Sequence, residues 1–187
     1  MTNRSADDTV SPVVGRPPLV VVFVAIVVIA LGELGGAVLS QLRPATARWA
    51  AARIAANPQA HGLTGSAEYD DTIRERTVFS VEAGLSFFHT HAEGTGLVLF
   101  FAATLVASVV RRRMVRAVLY ALLTIGALFP SGYLVYAIAV LQLGRDSGIE
   151  IAERWVLAPL GSAAIVGLVG LALALGRRGP APHPTEP

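Results

Sequence analysis

Apolar residues are concentrated in four long runs, at 19–42, 77–110, 115–143 and 155–176, separated by short polar segments and one longer one. Each run exceeds the ~20 residues with which an α-helix, rising 1.5 Å per residue, crosses a bilayer core. Charges inside the second run do not remove it from consideration, because ionisable groups within a span are costly but functional. The pattern predicts an all-α integral membrane protein, a four-transmembrane-helix bundle occupying residues 19–176. Residues 1–18 form a tail too long and too Pro-bearing for a signal peptide, and the first apolar run is of span length rather than signal length. The longer connection, 43–76, begins with an Ala/Arg-rich stretch expected to form a helix along the outer membrane surface over 45–56. Asn57-Pro58 should end that helix, and the segment from Gly62 to Gly65 reads as a turn. Residues 179–187 contain four prolines and read as a disordered tail. No internal repeat is present.

Composition narrows the class. Of 187 residues 53% are hydrophobic and only 15% charged, well below the quarter or so usual in soluble domains. There is no cysteine, which excludes disulfides, thiolate metal sites, iron–sulfur clusters and cysteine nucleophiles. All fifteen basic residues are arginine, so a Schiff-base lysine and the lysine of a phosphate-binding loop are excluded as well. The net charge is only +2 and the arginines are scattered or flank spans, which argues against nucleic acid as a partner. Arg4 and Arg16 precede the first span, Arg111, Arg112, Arg113 and Arg116 crowd the second connection, and Arg177 and Arg178 follow the fourth. With four spans these clusters share one side, predicted cytoplasmic with both termini, in a bacterial inner membrane.

The expensive residues are few. Along the second span, Glu82, Ser86, His89 and Glu93 are spaced 4, 3 and 4, which puts them on one helix face, continued by Gly96. His91, two residues from His89, points to nearly the opposite side. His89 lies about 10–15 Å below the outer end of its span at 1.5 Å per residue. Glu33 of the first span, Ser131, Tyr133 and Tyr136 of the third, and Ser162 of the fourth fall at a similar level, so four helices offer polar groups to one layer. In lipid such groups must face one another, a cofactor or water. Glu82 and His61, near or in the outer loop, are expected to be solvated, and His183 in the tail to be irrelevant. The Gly32/Gly36 pair reads as a helix-packing notch.

A buried imidazole in a small helical bundle most often serves a metal or a haem. Only the second span carries histidine, and Met114 at a span edge is the sole methionine near a span. A haem with two axial protein ligands is therefore hard to build within one subunit, whereas a single histidine leaves an open coordination position. A non-haem metal site from Glu33, His89 and Glu93 is the alternative ligand set.

The segment 89–96 (HTHAEGTG) resembles the outer start of the second helix in the styrene-oxide isomerase group, small four-helix membrane proteins that bind haem b. The resemblance puts His89 at the axial-ligand position; His91, outside the pattern, is a further candidate cofactor-binding imidazole. Thr95 stands where that group has an asparagine, and Gly96 matches the glycine after it. Residues 131–134 (SGYL) are similar to the segment carrying the group's active-site tyrosine, which makes Tyr133 its counterpart. Residues 157–160 (LAPL) also look like the family. The resemblance implies conversion of a hydrophobic epoxide, admitted from lipid, to a carbonyl, with Tyr133 and Thr95 orienting its oxygen. The chain departs from the pattern at Thr95 and in carrying His91, Glu93 and Glu33. The His-x-His segment is also similar to other four-span haem proteins, so a redox or sensory cytochrome and a non-enzymatic metal-binding or accessory subunit stand as alternatives. Small-residue patches at Gly32/Gly36 and Gly94/Gly96 leave room for a homo-oligomer.

Overall fold

The structure, a computed structural model, describes residues 15–177. Arg4, Arg178, His183 and the two tails, 1–14 and 178–187, lie outside the described residues. Within them the chain is helical, with no strand. The elements are α1 (Leu19–Ala55), α2 (Pro58–His61), α3 (Ala67–Val109), α4 (Arg113–Gly126), α5 (Ser131–Leu143), α6 (Arg145–Ala152) and α7 (Ala158–Gly176). A π-helical turn, Glu153–Leu157, joins α6 to α7. Four helical stretches are long and apolar enough to cross a membrane: Leu19–Ala55, Ala67–Val109, Arg113–Leu143 and Arg145–Gly176. Large apolar side chains on their outer faces, among them Phe23, Leu34, Phe101, Ile165 and Leu173, are exposed, a surface suited to lipid.

Three of these stretches depart from the expected boundaries. The helix predicted to lie separately over 45–56 is instead the continuation of α1, which runs unbroken through Pro44 to Ala55. Pro44 has no N–H to offer Ser40, but the Ala/Arg-rich stretch after it is strongly helix-forming. Ala50 and Ile54 are then buried against Val81, Val140 and Leu141, which holds the extension in place. Helix α3 starts at Ala67, ten residues before the apolar run. Its Asp70 carboxylate reaches back to accept hydrogen bonds from the amides of Thr64 (2.8 Å) and Gly65 (2.9 Å), tying the preceding turn to the first turn of the helix. The third stretch is broken by turns at 127–130 ahead of α5. The fourth begins at Arg145, where Pro159 cannot donate to the carbonyl one turn back and the π-helical turn absorbs the mismatch. Asn57-Pro58 does end α1, and Gly62 (φ 66°) and Gly65 (φ 89°) do form the turn.

Small residues let the helices approach closely. A Cβ on Gly32 would stand 2.9 Å from the Ala92 side chain and 3.2 Å from the His89 carbonyl, and one on Gly126 would stand 2.5 Å from the Ala164 backbone. The bundle is thus built from an α1–α3 pair and an α4–α7 pair, with α5 against α3. One core gathers Val21, Leu99, Val106, Leu119, Leu123 and Leu171, and another gathers Ile54, Val81 and Val140 near α2 and α6. The latter end is called the cap.

The cap buries His61, expected from its loop position to be solvated. It is only 8% exposed. Its Nε2–H donates to the Leu141 carbonyl at 3.2 Å, and Asn57 donates to the neighbouring Gln142 carbonyl, so α2 is fastened to the end of α5. The connection is a loop yet covers His61, since α2 packs against both α1 and α5.

Two predictions follow from this packing. Gly126→Ala should destabilise the protein by about 1–3 kcal/mol, because the added methyl meets backbone that cannot move aside. Gly94→Ala, with open space around it, should stay within ~0.5 kcal/mol of the parent; thermal unfolding in detergent separates the two. Burial pushes the His61 imidazole below its ordinary value, the Leu141 carbonyl opposing this more weakly. The folded chain then binds fewer protons than the unfolded chain. His61's contribution is complete above the unfolded value of about 6.5 and is lost as pH falls through the lower folded value. Protection of the amides of residues 59–63, corrected for the intrinsic slowing of exchange at lower pH, should therefore fall on acidification, and that fall should vanish in His61→Gln.

Candidate functional site

Helix α3 carries both central histidines, and 200° of rotation between them sends each to a different neighbour. His89 faces α1. Its Nδ1 lies 2.9 Å from the Gly32 carbonyl oxygen and 2.8 Å from Glu93 Oε1. A carbonyl can only accept, so Nδ1 carries the hydrogen and donates it to Gly32, with Glu93 Oε1 in close contact beside it, leaving Nε2 as the open ring nitrogen. The ring sits where Gly36 has no side chain. A Cβ there would stand 2.5–2.8 Å from three ring atoms. The Gly32/Gly36 pair therefore does two jobs: Gly32 lets the backbones meet, and Gly36 seats the imidazole.

His89 also lines a groove of about 660 Å³ between α1 and α3. Its walls are Gly36, Leu39 and Ser40 from α1 and Phe79, Ala83, Ser86 and Phe87 from α3. The volume falls within the roughly 300–1,000 Å³ of small-molecule sites. Toward the cap the groove is closed by an ion pair, in which Arg43 donates from Nε (3.2 Å) and Nη2 (3.0 Å) to Glu82 Oε2. The Glu82 side chain, 17% exposed, is thus paired and largely covered, not solvated as its place near the loop had implied. The groove is apolar along its length, basic and acidic at one end, and has an imidazole at the other.

His91 faces the opposite way, into an aromatic box. Its Nδ1–H bonds the Phe87 carbonyl one turn back at 2.9 Å. Its ring lies 4.8 Å from Tyr133, 5.8 Å from Phe129 and 6.0 Å from Phe87, centroid to centroid. Tyr133 packs on all three rings. Thr95, one turn from His91 and half-buried, lies on that same stripe.

The predicted residues therefore divide into two groups. His89 and Glu93 come together as their four-residue spacing implied. Tyr133 and Thr95, which the resemblance had set beside His89, go with His91. Glu33 joins neither: it is exposed, because Gly32 is the residue turned toward α3 and the next side chain points about 100° away. Among the described residues no three His, Asp or Glu side chains converge as a metal-binding group, so the set Glu33, His89 and Glu93 is not assembled. Ser162 is exposed as well, and Tyr136 packs against Gly84 beside a second groove. The layer expected from depth is real for α3 and α5. From α1 it receives a backbone carbonyl instead of a carboxylate. Spacing analysis missed Arg43, whose partner Glu82 on the polar seam was the available signal, and Gly36, whose role is legible only opposite a histidine.

What this arrangement can do follows from the open Nε2. An imidazole whose Nδ1–H is held by a carboxylate and a carbonyl is fixed in orientation and made a stronger donor at Nε2, the arrangement commonly found around metal-ligating histidines. The same geometry serves a proton acceptor. No protein-family model, curated protein or solved structure matches the chain.

The tautomer is directly measurable. Nitrogen NMR of histidine-labelled protein should find His89 in the Nδ1–H form. Gly36→Val, which evicts the ring, and Glu93→Ala, which removes one acceptor, should each shift it toward the Nε2–H form, while His91 stays unchanged.

Proposed function

We propose that the chain is a four-span membrane protein that binds a haem through His89, its arginine clusters and both termini on the cytoplasmic side. The observation that carries this reading is the imidazole held at Nδ1 by the Gly32 carbonyl and Glu93 while it lines an apolar groove of about 660 Å³. The residues present fit such a group. Nε2 is the one open ring nitrogen, Phe79, Phe87 and Leu39 offer apolar walls, and Arg43 supplies a cation for acidic substituents at the groove's polar end. A haem held by one histidine supplies an iron with an open position, able to act as a Lewis acid.

The reaction we propose, by resemblance to the isomerase group, is redox-neutral rearrangement of a hydrophobic epoxide to a carbonyl. The chain's own contributions are specific. Glu93 and Gly32 hold the proton on Nδ1, so that Nε2 remains a lone-pair donor. The lateral groove between α1 and α3 admits an apolar molecule from the surrounding lipid, and its side chains keep water away from the imidazole. Tyr133 and Thr95 sit across α3 from the groove. The hydroxyls that line it are those of Ser40 and Ser86, and these take the orienting role the resemblance had given to Tyr133.

The decisive experiment is an absorption spectrum of the detergent-purified chain from haem-replete cells. A Soret band should be present, disappear in His89→Ala and persist in His91→Ala and His183→Ala. Free imidazole should restore it in His89→Gly. A colourless parent protein, or a band lost in His91→Ala and kept in His89→Ala, overturns the reading. An aryl epoxide should be converted to the aldehyde without added reductant, and Ser86→Ala should slow this more than Tyr133→Phe does. Reduction by a quinol analogue with no epoxide turnover would favour a redox cytochrome instead.

A further inference from the structure

The cap holds a second cavity, of about 410 Å³, remote from His89 and more polar than the grooves along the helices. Two features of its wall call for a ligand independently. The first is the start of α6. Gly144 adopts φ 85°, a side chain there would also strike the Ala60 carbonyl, and the chain then turns directly into Arg145, Asp146 and Ser147. The first intrahelical acceptor of α6 is the Gly144 carbonyl, taken by Gly148. The three amides before Gly148 have no acceptor within the helix, and no side chain caps it. The second is His61, 8% exposed and part of the same wall. Its Nε2–H is spent on the Leu141 carbonyl, so Nδ1 is a buried lone pair, and it has no hydrogen-bond partner.

The charged and titratable groups around this cavity are Tyr69 and Arg76 from α3 and Arg145 and Asp146 from α6; α1 and α5 add no charged group to its wall. Asp146 pairs with its neighbour Arg145 at 3.3 Å, but its side chain is 94% exposed and can turn into solvent. What remains is two guanidinium groups, the unsatisfied amides of a helix start, and an imidazole able to take one more proton. The guanidinium groups and the amides favour negative charge, and the imidazole does so once it is protonated.

We infer that the cap cavity is an oxyanion site, taking a sulfate or phosphate group or the phosphodiester of a lipid headgroup between Arg76, Arg145 and the first turn of α6, with His61 taking up a proton as the anion binds. Burial, which disfavours the imidazolium in the empty cap, is offset once an anion stands nearby. Anion binding and His61 protonation are then linked, each strengthening the other. The site also answers the instability of the cap in acid, because an anion stabilises the protonated form that acid produces.

The test is an NMR titration of the His61 ring in the full chain, with sulfate as a probe that does not itself titrate between pH 5 and 8. In detergent, saturating sulfate should raise the His61 midpoint by about one pH unit, the lower end of what an adjacent opposite charge does. Arg145→Gln and Arg76→Gln, both at exposed positions, should abolish the sulfate-dependent rise while the His61 signal stays folded. In phosphatidylcholine nanodiscs without sulfate, added phosphatidylglycerol should raise the midpoint if the lipid headgroup is the occupant. A rise with sulfate alone identifies a free anion. A midpoint indifferent to both, or an equal sulfate effect in the two arginine variants, overturns the proposal.

Discussion

At the level of His89 the approach of α1 to α3 rests on two missing side chains. Gly32 allows the backbones to touch at Ala92 and His89, and Gly36, one turn on, leaves a space that the His89 ring fills. Filling that space with an imidazole instead of a methyl group has a chemical result. The Gly32 carbonyl, already close, becomes the acceptor for Nδ1, and the Glu93 carboxylate, one turn along α3, stands 2.8 Å from the same nitrogen. A polar group buried among apolar helices without partners would be unfavourable by a few kcal/mol; here packing and hydrogen bonding are satisfied by the same contact. The groove, the orientation of Nε2 and the pairing of Arg43 with Glu82 all depend on this register of α1 on α3. A slip of one residue would put Glu33 into the contact and remove the seat.

Helix α3 works as a divider. On one side lie His89, Glu93 and the groove, and on the other lie His91, Tyr133, Phe129 and Thr95. A two-residue separation along a helix is close in sequence and nearly opposite in space, so the two imidazoles serve different neighbours. This division explains why a motif read linearly, as the segment 89–96 invites, joins residues that the fold keeps apart. It also separates the chemistry proposed for the groove from the stacking around His91, whose ring is held by three aromatic neighbours and one backbone carbonyl.

Much of the fold was legible because hydropathy reports membrane-length helices directly. The turn from Gly62 to Gly65 and the stop at Asn57-Pro58 were legible because Gly and Pro constrain the backbone locally. The continuity of 45–55 with α1 was not, although its Ala/Arg-rich composition announces a helix there, and neither was the extension at 67–76, whose polar residues hydropathy does not register. Helix propensity in the first, and the reach of Asp70 back to Thr64 and Gly65 in the second, carry those segments instead. Depth could be counted along each helix, which correctly put Tyr133 level with the histidines, but rotation about each axis could not. That is why Glu33 was assigned inward when its neighbour Gly32 held that position, and why Tyr133 was set against the wrong imidazole. The burial of His61 escapes the sequence for another reason: a loop is usually wet, but this one packs against α1 and α5.

Phe87 has a position that no other side chain shares. It lines the groove beside His89, it borders the second groove near Tyr136, and its ring packs against both His91 and Tyr133. Its carbonyl holds the His91 proton as well. One benzene ring is therefore a party wall between three compartments. A guest large enough to push that wall from the groove side must rearrange the aromatic box on the other, so filling one compartment redraws its neighbours. The molecule has, in a single rotamer, a mechanical link between His89 and His91.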